Sequence, residues 1–350
     1  DDSANLNYNL ILAFLDRFPI YKTNEFYISA ESYGGHYMPT LAKKIIDSDP
    51  DGSIVNFRGF AVGNPYTDPR ENAIGAIDTL YGHSMVPRPE YDKWVKFCRN
   101  AQAPKLEQGV ICQALQAKMQ FVDIGDVNPY ALDYPVCLDK TTGRRKPGGR
   151  LTRYQARLAR FVLPETAQRA LGLPEAGEPE ESYEPCEDNY ASAYLNRPEV
   201  KEAIHANQAI AWQECSGKTP YGKLVYNQTW TQVPMEPYYK ALLTSGRDLK
   251  MLVFSGDDDS VCGTIGTQHW IYDLGYPVRE GTSWASWKVN GQVAGYVEKF
   301  GGDVNQATGA KGAGFTFATV HGAGHEVPTY RPAQALELIS AFFYSKDWLM

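Results

Sequence analysis

A short β-prone run that leads into a serine between small residues is the feature that most constrains the fold of this chain. Residues 26–36 read FYISAESYGGH, so a strand runs into Ser32 and then into the start of a helix. In a nucleophile elbow the turn is so tight that the residues two before and two after the nucleophile must be small. Ala30 and Gly34 meet this requirement, although glycine is usual at both positions. The segment therefore predicts an α/β fold that holds a serine hydroxyl above the edge of its sheet.

Further strands and helices alternate along the chain. Apolar residues at helical spacing predict three helices, over residues 6–18, 39–47 and 333–343. Short apolar or alternating runs predict strands or hairpins over residues 26–29, 57–62, 250–255, 287–293 and 315–320. Pro39 is expected in the first turn of its helix, and Asn290-Gly291 is expected to form a two-residue hairpin turn. This alternation favours an α/β sheet.

Composition excludes several classes of protein. The 350 residues are 43% hydrophobic, 13% aromatic and 21% charged, with a net charge of −7. These values lack the biases of disordered, collagen-like and coiled-coil chains. No window approaches about 18 uninterrupted apolar residues, so no membrane-spanning segment is expected. The mild acidity argues against nucleic acid as a partner, because nucleic acid selects for a basic face. An aromatic-rich globular enzyme is favoured.

Charges are segregated in the middle of the chain. Eight basic residues and no acid fall between positions 140 and 160, and seven acids and no base fall between 175 and 188. Such a stretch is typical of a solvated excursion from the core. A nucleic-acid patch is the alternative interpretation of the basic run, but Tyr154 is the only aromatic residue within it before the final Arg160.

Two more segments place reactive side chains directly after strands. Residues 253–262 read VFSGDDDSVC, and residues 317–328 read FATVHGAGHEVP. Open α/β sheets present functional groups at the carboxyl ends of their strands. The order serine, aspartate, histidine along the chain is that of α/β hydrolases. Serine is a weak nucleophile until a histidine takes its proton, and an acid fixes the tautomer of that histidine.

Metal and phosphate sites are alternative interpretations of the same segments. The three carboxylates of residues 257–259 suit Ca²⁺ or Mg²⁺. His321 and His325 are four residues apart, but the glycines between them disfavour the helix that would bring both to one metal ion. The glycine-rich run at 301–314 lacks the ending of a phosphate-binding loop, so a hairpin loop is expected there. No metal and no cofactor are predicted.

Five ordered blocks, spread over the whole chain, resemble the serine carboxypeptidase family, peptidases of the α/β-hydrolase fold. They are AESYGGHYMP (30–39), GFAVGNPYTDP (59–69), YEPCEDNYASAYLNRPEVKEAIHAN (183–207), SGDDDSVC (255–262) and HGAGHEVPTYRPAQAL (321–336). Pro65 stands where the family usually has glycine. The resemblance implies a mixed, mostly parallel sheet with a helical or irregular cap. Its core would comprise residues 1–70 and 245–350, and its cap residues 71–244, including a charged linker at about 138–185.

The resemblance also assigns catalytic roles. Ser32 would be the nucleophile and His325 the general base. Asp259, rather than Asp257, would be the acid of the triad. The backbone N–H of Tyr33 would supply one donor of the oxyanion hole.

Glu31 matches the family glutamate that, when protonated, hydrogen-bonds the C-terminal carboxylate of the substrate. Two carboxyl groups in contact share a proton, which raises an apparent pKa. The resemblance therefore implies peptidase activity that is highest at acidic pH and fades as Glu31 ionises. The implied reaction removes C-terminal residues from peptides through an acyl-enzyme. An acyltransferase on the same scaffold and a catalytically silent fragment or binding protein are the alternatives.

The cysteines fit the family as well. Two disulfides are implied, Cys98–Cys112 and Cys137–Cys186. Cys215 and Cys262 would be unpaired, and Cys262 lies where some relatives keep a free thiol near the substrate pocket. Sensitivity to thiol reagents is expected on that ground. In some relatives the linker is excised, and the basic run 144–146 would suit a processing protease.

An oxidising compartment is expected for this chain. Asn227 begins an N-glycosylation sequon, Asn-Gln-Thr, and disulfides persist in secreted proteins. The predicted location is the secretory pathway, with a vacuole, a lysosome or the extracellular space as the destination. The predicted partners are peptide substrates, without nucleic acid or membrane, and a homodimer is left open.

The family also has a WLNGGPGCSS loop upstream of the elbow, which has no counterpart here. That loop supplies the second oxyanion donor, and only 31 residues precede Ser32 in this chain. The resemblance therefore implies that N-terminal strands of the fold are missing from this chain. An incomplete sequence and a separate N-terminal chain are both left open.

Overall fold

The computed structural model describes residues 2–99, 109–136, 188–213, 230–301 and 313–344. Within these ranges the chain divides into two compact units. The first comprises residues 2–99, 109–123, 129–133, 232–301 and 313–344. The second comprises residues 124–128, 134–136, 188–213 and 230–231. The first unit extends past residue 70, where the sequence places the boundary of the core. The predicted cap remains a prediction.

A six-stranded sheet occupies the first unit. Its strands are β1 (Phe26–Glu31), β2 (Phe57–Gly63), β3 (Lys250–Gly256), β4 (Ala285–Val289), β5 (Gln292–Gly301) and β6 (Gly314–Val320). They lie in the order β1-β2-β3-β6-β5-β4. Strands β1, β2, β3 and β6 are mutually parallel, whereas β5 and β4 pair antiparallel. The expected mixed, mostly parallel sheet is confirmed.

Helices precede, separate and follow these strands along the chain. Those of the first unit are α1 (Asp2–Arg17), α2 (Gly34–Ser48), α3 (Pro69–Gly82), α4 (Arg88–Trp94), α5 (Val110–Lys118), α8 (Glu236–Leu243), α9 (Thr264–Asp273), α10 (Val327–Tyr330) and α11 (Pro332–Tyr344). The second unit contains α6 (Asp188–Leu195) and α7 (Pro198–Ala203). Short 3₁₀ or π turns cover Pro19–Tyr21, Val95–Arg99, Met119–Asp123 and Trp230–Gln232.

Apolar side chains cover both faces of the sheet. On one face, alternate residues of β2, β3 and β6 such as Phe60, Val253 and Phe317 form a core with helices α1, α2, α8 and α9. On the other face, Leu252 and Val320 belong to a second cluster that includes residues of α11. Since neighbouring residues of a strand point to opposite faces, the continuous apolar runs of these strands are explained by burial on both sides.

Local sequence patterns place most of the elements correctly. Asn290 and Gly291 have φ of 51° and 77° and join β4 to β5, which confirms the hairpin turn. The start predicted for the helix at Pro39 is wrong, because α2 begins at Gly34 and contains Pro39. The missing N–H of Pro39 removes one helical hydrogen bond. Burial of apolar residues of α2, such as Leu41 and Ile45, offsets that loss.

None of the described helices is long and apolar enough to cross a membrane.

Candidate active site

The carboxyl ends of the parallel strands meet at one edge of the sheet. Ser32 follows β1, Asn64 follows β2, residues 257–259 follow β3, and residues 321–325 follow β6. Because these four strands are adjacent and parallel, segments far apart in sequence lie next to each other here. The edge is therefore the place where the predicted site residues are brought together.

Ser32 occupies a strained turn between β1 and α2. Its φ is 60°, in the left-handed region that non-glycine residues rarely adopt, at a cost of about 1–3 kcal/mol. Three backbone hydrogen bonds hold the turn. Ser32 N–H donates to Gly63 O at 3.0 Å, and Ser32 O accepts from the N–H groups of Gly35 at 2.9 Å and Tyr66 at 2.8 Å. The geometry is that of the predicted elbow.

Small residues are required on both sides of this turn. A Cβ atom built on Gly34 would lie 2.4 Å from Cβ of Ala30, so a side chain at one position excludes a larger one at the other. A Cβ atom on Gly35 would lie 2.3 Å from the carbonyl oxygen of Tyr66. These close approaches give the steric reason for the Ala-Glu-Ser-Tyr-Gly-Gly sequence.

His325 and Asp259 form a buried pair. Their side chains are 3% and 0% exposed, and His325 Nδ1 lies 2.6 Å from Asp259 Oδ2. The backbone N–H of His325 donates to Tyr130 O at 2.7 Å, and the Tyr130 ring stands edge-on to the imidazole with centroids 5.0 Å apart. The approach of Tyr130 needs the preceding Gly324, where a Cβ atom would lie 2.3 Å from the same carbonyl oxygen.

Further hydrogen-bond donors stabilise the Asp259 carboxylate. Asn64 Nδ2 donates to Oδ2 at 2.9 Å, and the backbone N–H groups of Val261 and Cys262 donate to Oδ1 and Oδ2 at 2.7 Å and 3.1 Å. The side-chain oxygen of Asn64 also accepts from Gly256 N–H at 3.0 Å. Sequence patterns alone did not predict the role of Asn64. Its place directly after a buried strand was the available signal, since the same rule located the aspartates.

The pKa of His325 reflects two opposing effects. Burial on its own lowers this pKa, but the charge of Asp259 and its hydrogen bond raise it above the usual value, and Glu326 and Glu31 add to the increase. A buried imidazolium is therefore stabilised at this position. With Nδ1 directed at Asp259, Nε2 is the nitrogen that remains to exchange a proton with another group.

Cys262 lies inside the same cluster. Its thiol is buried, forms no disulfide, and lies within reach of the side chain of Ser32. Its Sγ, a nitrogen of His325 and a carboxylate oxygen of Asp259 lie within 4.8 Å of one another. Burial raises the thiol pKa well above its usual value, so the group is neutral at ordinary pH. Cys262 thus lies beside both Ser32 and the buried pair.

Glu31 faces this cluster from the end of β1. Its charge raises the pKa of both Cys262 and His325, which places its carboxylate within electrostatic reach of both groups. Glu31 itself is solvent-exposed. A ligand that enters beside Ser32 would therefore meet an accessible carboxyl group.

The Tyr33 backbone N–H lies at the N-terminus of α2, next to Ser32. The Tyr33 ring stacks on His36 with centroids 4.6 Å apart, and His36 Nδ1 is 2.8 Å from Tyr66 O. These contacts fix the residue after the serine. Its part in an oxyanion hole stays a prediction.

Each aspartate of the run 257–259 engages a different histidine. Asp257 Oδ2 is 2.7 Å from His321 Nδ1, and Asp258 Oδ1 is 3.7 Å from His83 Nε2. Burial raises the pKa of Asp258 to about 6. Among the described residues, no group of three potential metal ligands within 4.8 Å contains more than one aspartate of this run. The three carboxylates do not converge on a common ion.

The cysteines can be followed only in part. Cys98 and Cys112 form a disulfide, which is the first of the two expected pairings. Cys137, Cys186, Cys215 and Asn227, like the linker at about 138–185, lie outside the described residues. Their predicted roles stay predictions.

Known proteins resemble this chain over nearly all of its length. A sequence model of the serine carboxypeptidase family matches residues 1–345. Serine carboxypeptidase 24 of Arabidopsis thaliana is 33% identical over 99% of this chain and 66% of its own length. Serine carboxypeptidase-like 22 of the same plant is 31% identical over 99% of this chain and 67% of its own length. The chain thus spans about two thirds of the length of these curated relatives.

The fold has a counterpart among solved structures. The crystal structure of Kex1(delta)p, a prohormone-processing carboxypeptidase from Saccharomyces cerevisiae, superposes with a TM-score of 0.62 at 15% sequence identity. The match covers 95% of this chain and 64% of the yeast chain. The α/β-hydrolase fold expected from the sequence is confirmed by this likeness.

Proposed function

Because the chain belongs to the serine carboxypeptidase family, we propose that it carries the catalytic centre of an enzyme that removes C-terminal residues from peptides through an acyl-enzyme. The observation that carries this proposal is the buried His325–Asp259 pair, which lies with Cys262 at the same edge of the sheet as a serine in a strained elbow. The positive φ of Ser32 fits an elbow in which a strained strand-to-helix turn exposes the nucleophile.

The proposed reaction follows from the hydrogen bonds of the pair. Asp259 holds Nδ1–H of His325, so Nε2 accepts the proton of Ser32 as its Oγ attacks the peptide carbonyl. His325 then gives this proton to the departing amine, and the C–N bond breaks to leave an ester on Ser32. A water molecule, deprotonated by His325, hydrolyses the ester. The N–H of Tyr33 would stabilise the oxyanion formed in each step.

Glu31 would select the end of the peptide. Its exposed carboxyl group, near His325 and Cys262, is placed to bind the C-terminal carboxylate of a substrate when it carries a proton. Two ionised carboxylates repel each other, so binding should weaken as Glu31 ionises. We expect activity to be favoured at acidic pH and to decline as Glu31 ionises, and a Glu31→Gln variant to lose this decline but to keep the rise of activity that accompanies loss of the His325 proton. A variant that keeps the wild-type pH profile would contradict the assignment.

Labelling of Ser32 by a fluorophosphonate tests the catalytic centre. We expect covalent labelling of the wild type and none of Ser32→Ala. Ser29→Ala is the matched control, because Ser29 is an exposed serine of the same strand and its loss should leave labelling unchanged. Absence of labelling in a folded wild-type protein would reject the catalytic proposal.

Hydrolysis of an N-blocked dipeptide at mildly acidic pH then tests the reaction type. Release of the C-terminal amino acid supports the carboxypeptidase. A labelled protein that leaves the dipeptide intact but transfers an acyl group from an activated ester to an alcohol would be an acyltransferase instead.

We place the protein in the secretory pathway. The Cys98–Cys112 disulfide supports an oxidising compartment, where such bonds persist. Natural material should decrease in mass after endoglycosidase treatment if Asn227 is glycosylated. An unchanged mass would remove the glycosylation part of this proposal.

A further inference from the structure

A loop outside the triad supports both ends of it. Residues 64–68 connect β2 to α3. Asn64 at the start of the loop donates to Asp259, and Tyr66 N–H in its middle donates to Ser32 O. A displacement of this loop would therefore disturb the elbow and the triad acid together.

The far end is joined to α8. Thr67 O accepts a hydrogen bond from Met235 N–H at 3.1 Å, and Asp68 caps α3 by accepting from Glu71 N–H at 2.7 Å. The carboxyl group of Glu236, the first residue of α8, lies within hydrogen-bonding reach of the carboxyl group of Asp68. Two carboxylates have no donor between them, so one of the two groups must carry a proton.

The surroundings of Glu236 favour the neutral form of its carboxyl group. Its Oε2 atom is buried, and no N–H or O–H group of the described residues pairs with that atom. Asp68, in contrast, already accepts a backbone hydrogen bond from Glu71 N–H. Burial, followed by the charge of Asp68, raises the pKa of Glu236 to about 8.

Among the described residues, the charges that act on Glu236 are acidic. Asp68 and Glu71 face Glu236 from the end of α3, and both charges disfavour its ionisation. Tyr239, one turn further along α8, is fully buried, and burial raises the pKa of its phenol. In α2, burial lowers the pKa of the His36 imidazole, although the charge of Asp68 acts to raise it. Glu71 itself is engaged elsewhere, with His269 Nδ1 at 3.0 Å from its Oε2.

We propose that Glu236 is a positioning residue: as a neutral acid it donates a hydrogen bond to Asp68 and so holds the 64–68 loop that supports Ser32 and Asp259. Loss of its proton leaves two carboxylates in contact at the end of that loop. The repulsion then loosens the loop and displaces the elbow and the triad acid. This role goes beyond the proposed function, because it concerns a residue that touches neither substrate nor the reacting atoms.

The direction of the pH effect follows from linkage. The pKa of Glu236 is raised in the folded protein from 4.5 to about 8. The stabilisation is therefore complete below about pH 4.5 and is lost as the pH rises towards 8. Over this window the folded protein holds one proton that the unfolded chain has released. The unfolding equilibrium constant should therefore rise by about tenfold per pH unit from this group alone.

Urea unfolding of wild type and Glu236→Gln between pH 5 and pH 8 tests the proposal without reference to catalysis. The glutamine amide donates to Asp68 at every pH, so the variant should lack the rise of about tenfold per pH unit that Glu236 contributes. Glu202→Gln is the matched control, because Glu202 is an exposed helical glutamate, and its loss should leave the wild-type dependence unchanged. Equal pH dependence of wild type and Glu236→Gln would overturn the proposal.

A second variant, Asp68→Asn, tests the same pair in case the protein does not fold with glutamine at position 236. Asparagine keeps the N-cap of α3 but removes the charge beside Glu236, so Asp68→Asn should also flatten the pH dependence. A dependence as steep as that of the wild type in this variant would count against the pair.

The pH profile of fluorophosphonate labelling tests the positioning role. We expect labelling of Glu236→Gln to exceed that of the wild type increasingly towards pH 8, because both proteins share the titration of His325 and only the wild type loses the Glu236 proton. Identical profiles, with unfolding that differs as expected, would reject the positioning role. Absence of labelling in every variant would reject the proposed catalytic centre, and the unfolding experiment would still decide whether Glu236 holds a proton.

Discussion

Asn64 shows how one amide organises the candidate site. Its Nδ2 donates to Asp259, and its Oδ1 accepts from the backbone of Gly256 at the end of β3. The residue has a φ of 38°, a conformation that asparagine tolerates better than most side chains. The amide therefore fixes the carboxylate that orients His325 and joins the ends of two strands.

We expect Asn64→Gly to lower the fluorophosphonate labelling rate of Ser32 by tenfold or more. Glycine accepts the positive φ, so the variant removes the side chain without adding backbone strain. The free energy of unfolding should fall by about 1.5–3 kcal/mol, since a hydrogen bond to a buried charge is lost. Asn24→Gly, at an exposed position, is the control for labelling. A rate equal to that of the wild type would show that Asp259 does not depend on Asn64.

At the scale of elements, the site depends on how closely α2 approaches the loop after β2. Gly35 allows the carbonyl of Tyr66 to lie where a side chain would begin. Strand, elbow and helix are therefore held together by backbone contacts, which local sequence patterns report only as a need for small residues.

We predict that Gly35→Ala destabilises the protein by about 1–3 kcal/mol. The new methyl group would push the backbone of Tyr66 away and disrupt its hydrogen bond to Ser32. Gly82→Ala, at the exposed end of α3, is the matched control. A Cβ atom there would meet nothing within 4 Å, so the control should be unchanged or up to about 1 kcal/mol more stable. Urea midpoints of the two variants provide the comparison, and equal midpoints would contradict the steric argument.

Local periodicity was sufficient to predict the strands, the hairpin turn and most helices, because these elements arise from neighbouring residues. The segments that carry the serine, aspartate and histidine were predictable because each follows a strand of a parallel sheet, and the resemblance to the family assigned Ser32, Asp259 and His325 within them. Asn64 and Glu236 were not, since their roles arise from partners far along the chain. Asn64 and Asp259, for example, are 195 residues apart in sequence. Nothing in the sequence around Glu236 indicates that Asp68 lies beside it.

At the scale of the whole molecule, the first unit presents apolar surface. Leu6, Leu10 and Phe14 follow one another at intervals of four residues on α1 and are 68%, 66% and 44% exposed. Strand β1 lies at the end of the strand order, so one of its edges has no neighbouring strand among the described residues. Exposed apolar patches and free strand edges both favour association with other chains.

We therefore expect this chain to self-associate at micromolar concentration. The double variant Leu6→Gln/Leu10→Gln should shift its elution in size-exclusion chromatography towards the monomer. Leu336→Gln on α11 is the control, because this leucine is 70% exposed but no other exposed large apolar side chain lies within four residues of it in the described sequence. A monomeric wild type, or a double variant that elutes with the wild type, would contradict the expectation.

The strained turn at Ser32 has a consequence for the molecule as a whole. A residue held at a φ of 60° returns to an ordinary backbone conformation as soon as the contacts that hold it there weaken. Those contacts come from β2, from the loop after it and from the packing of α2, all of which depend on the common core. The reactivity of this one hydroxyl should therefore act as a gauge of fold integrity, and should decline before the sheet itself unfolds.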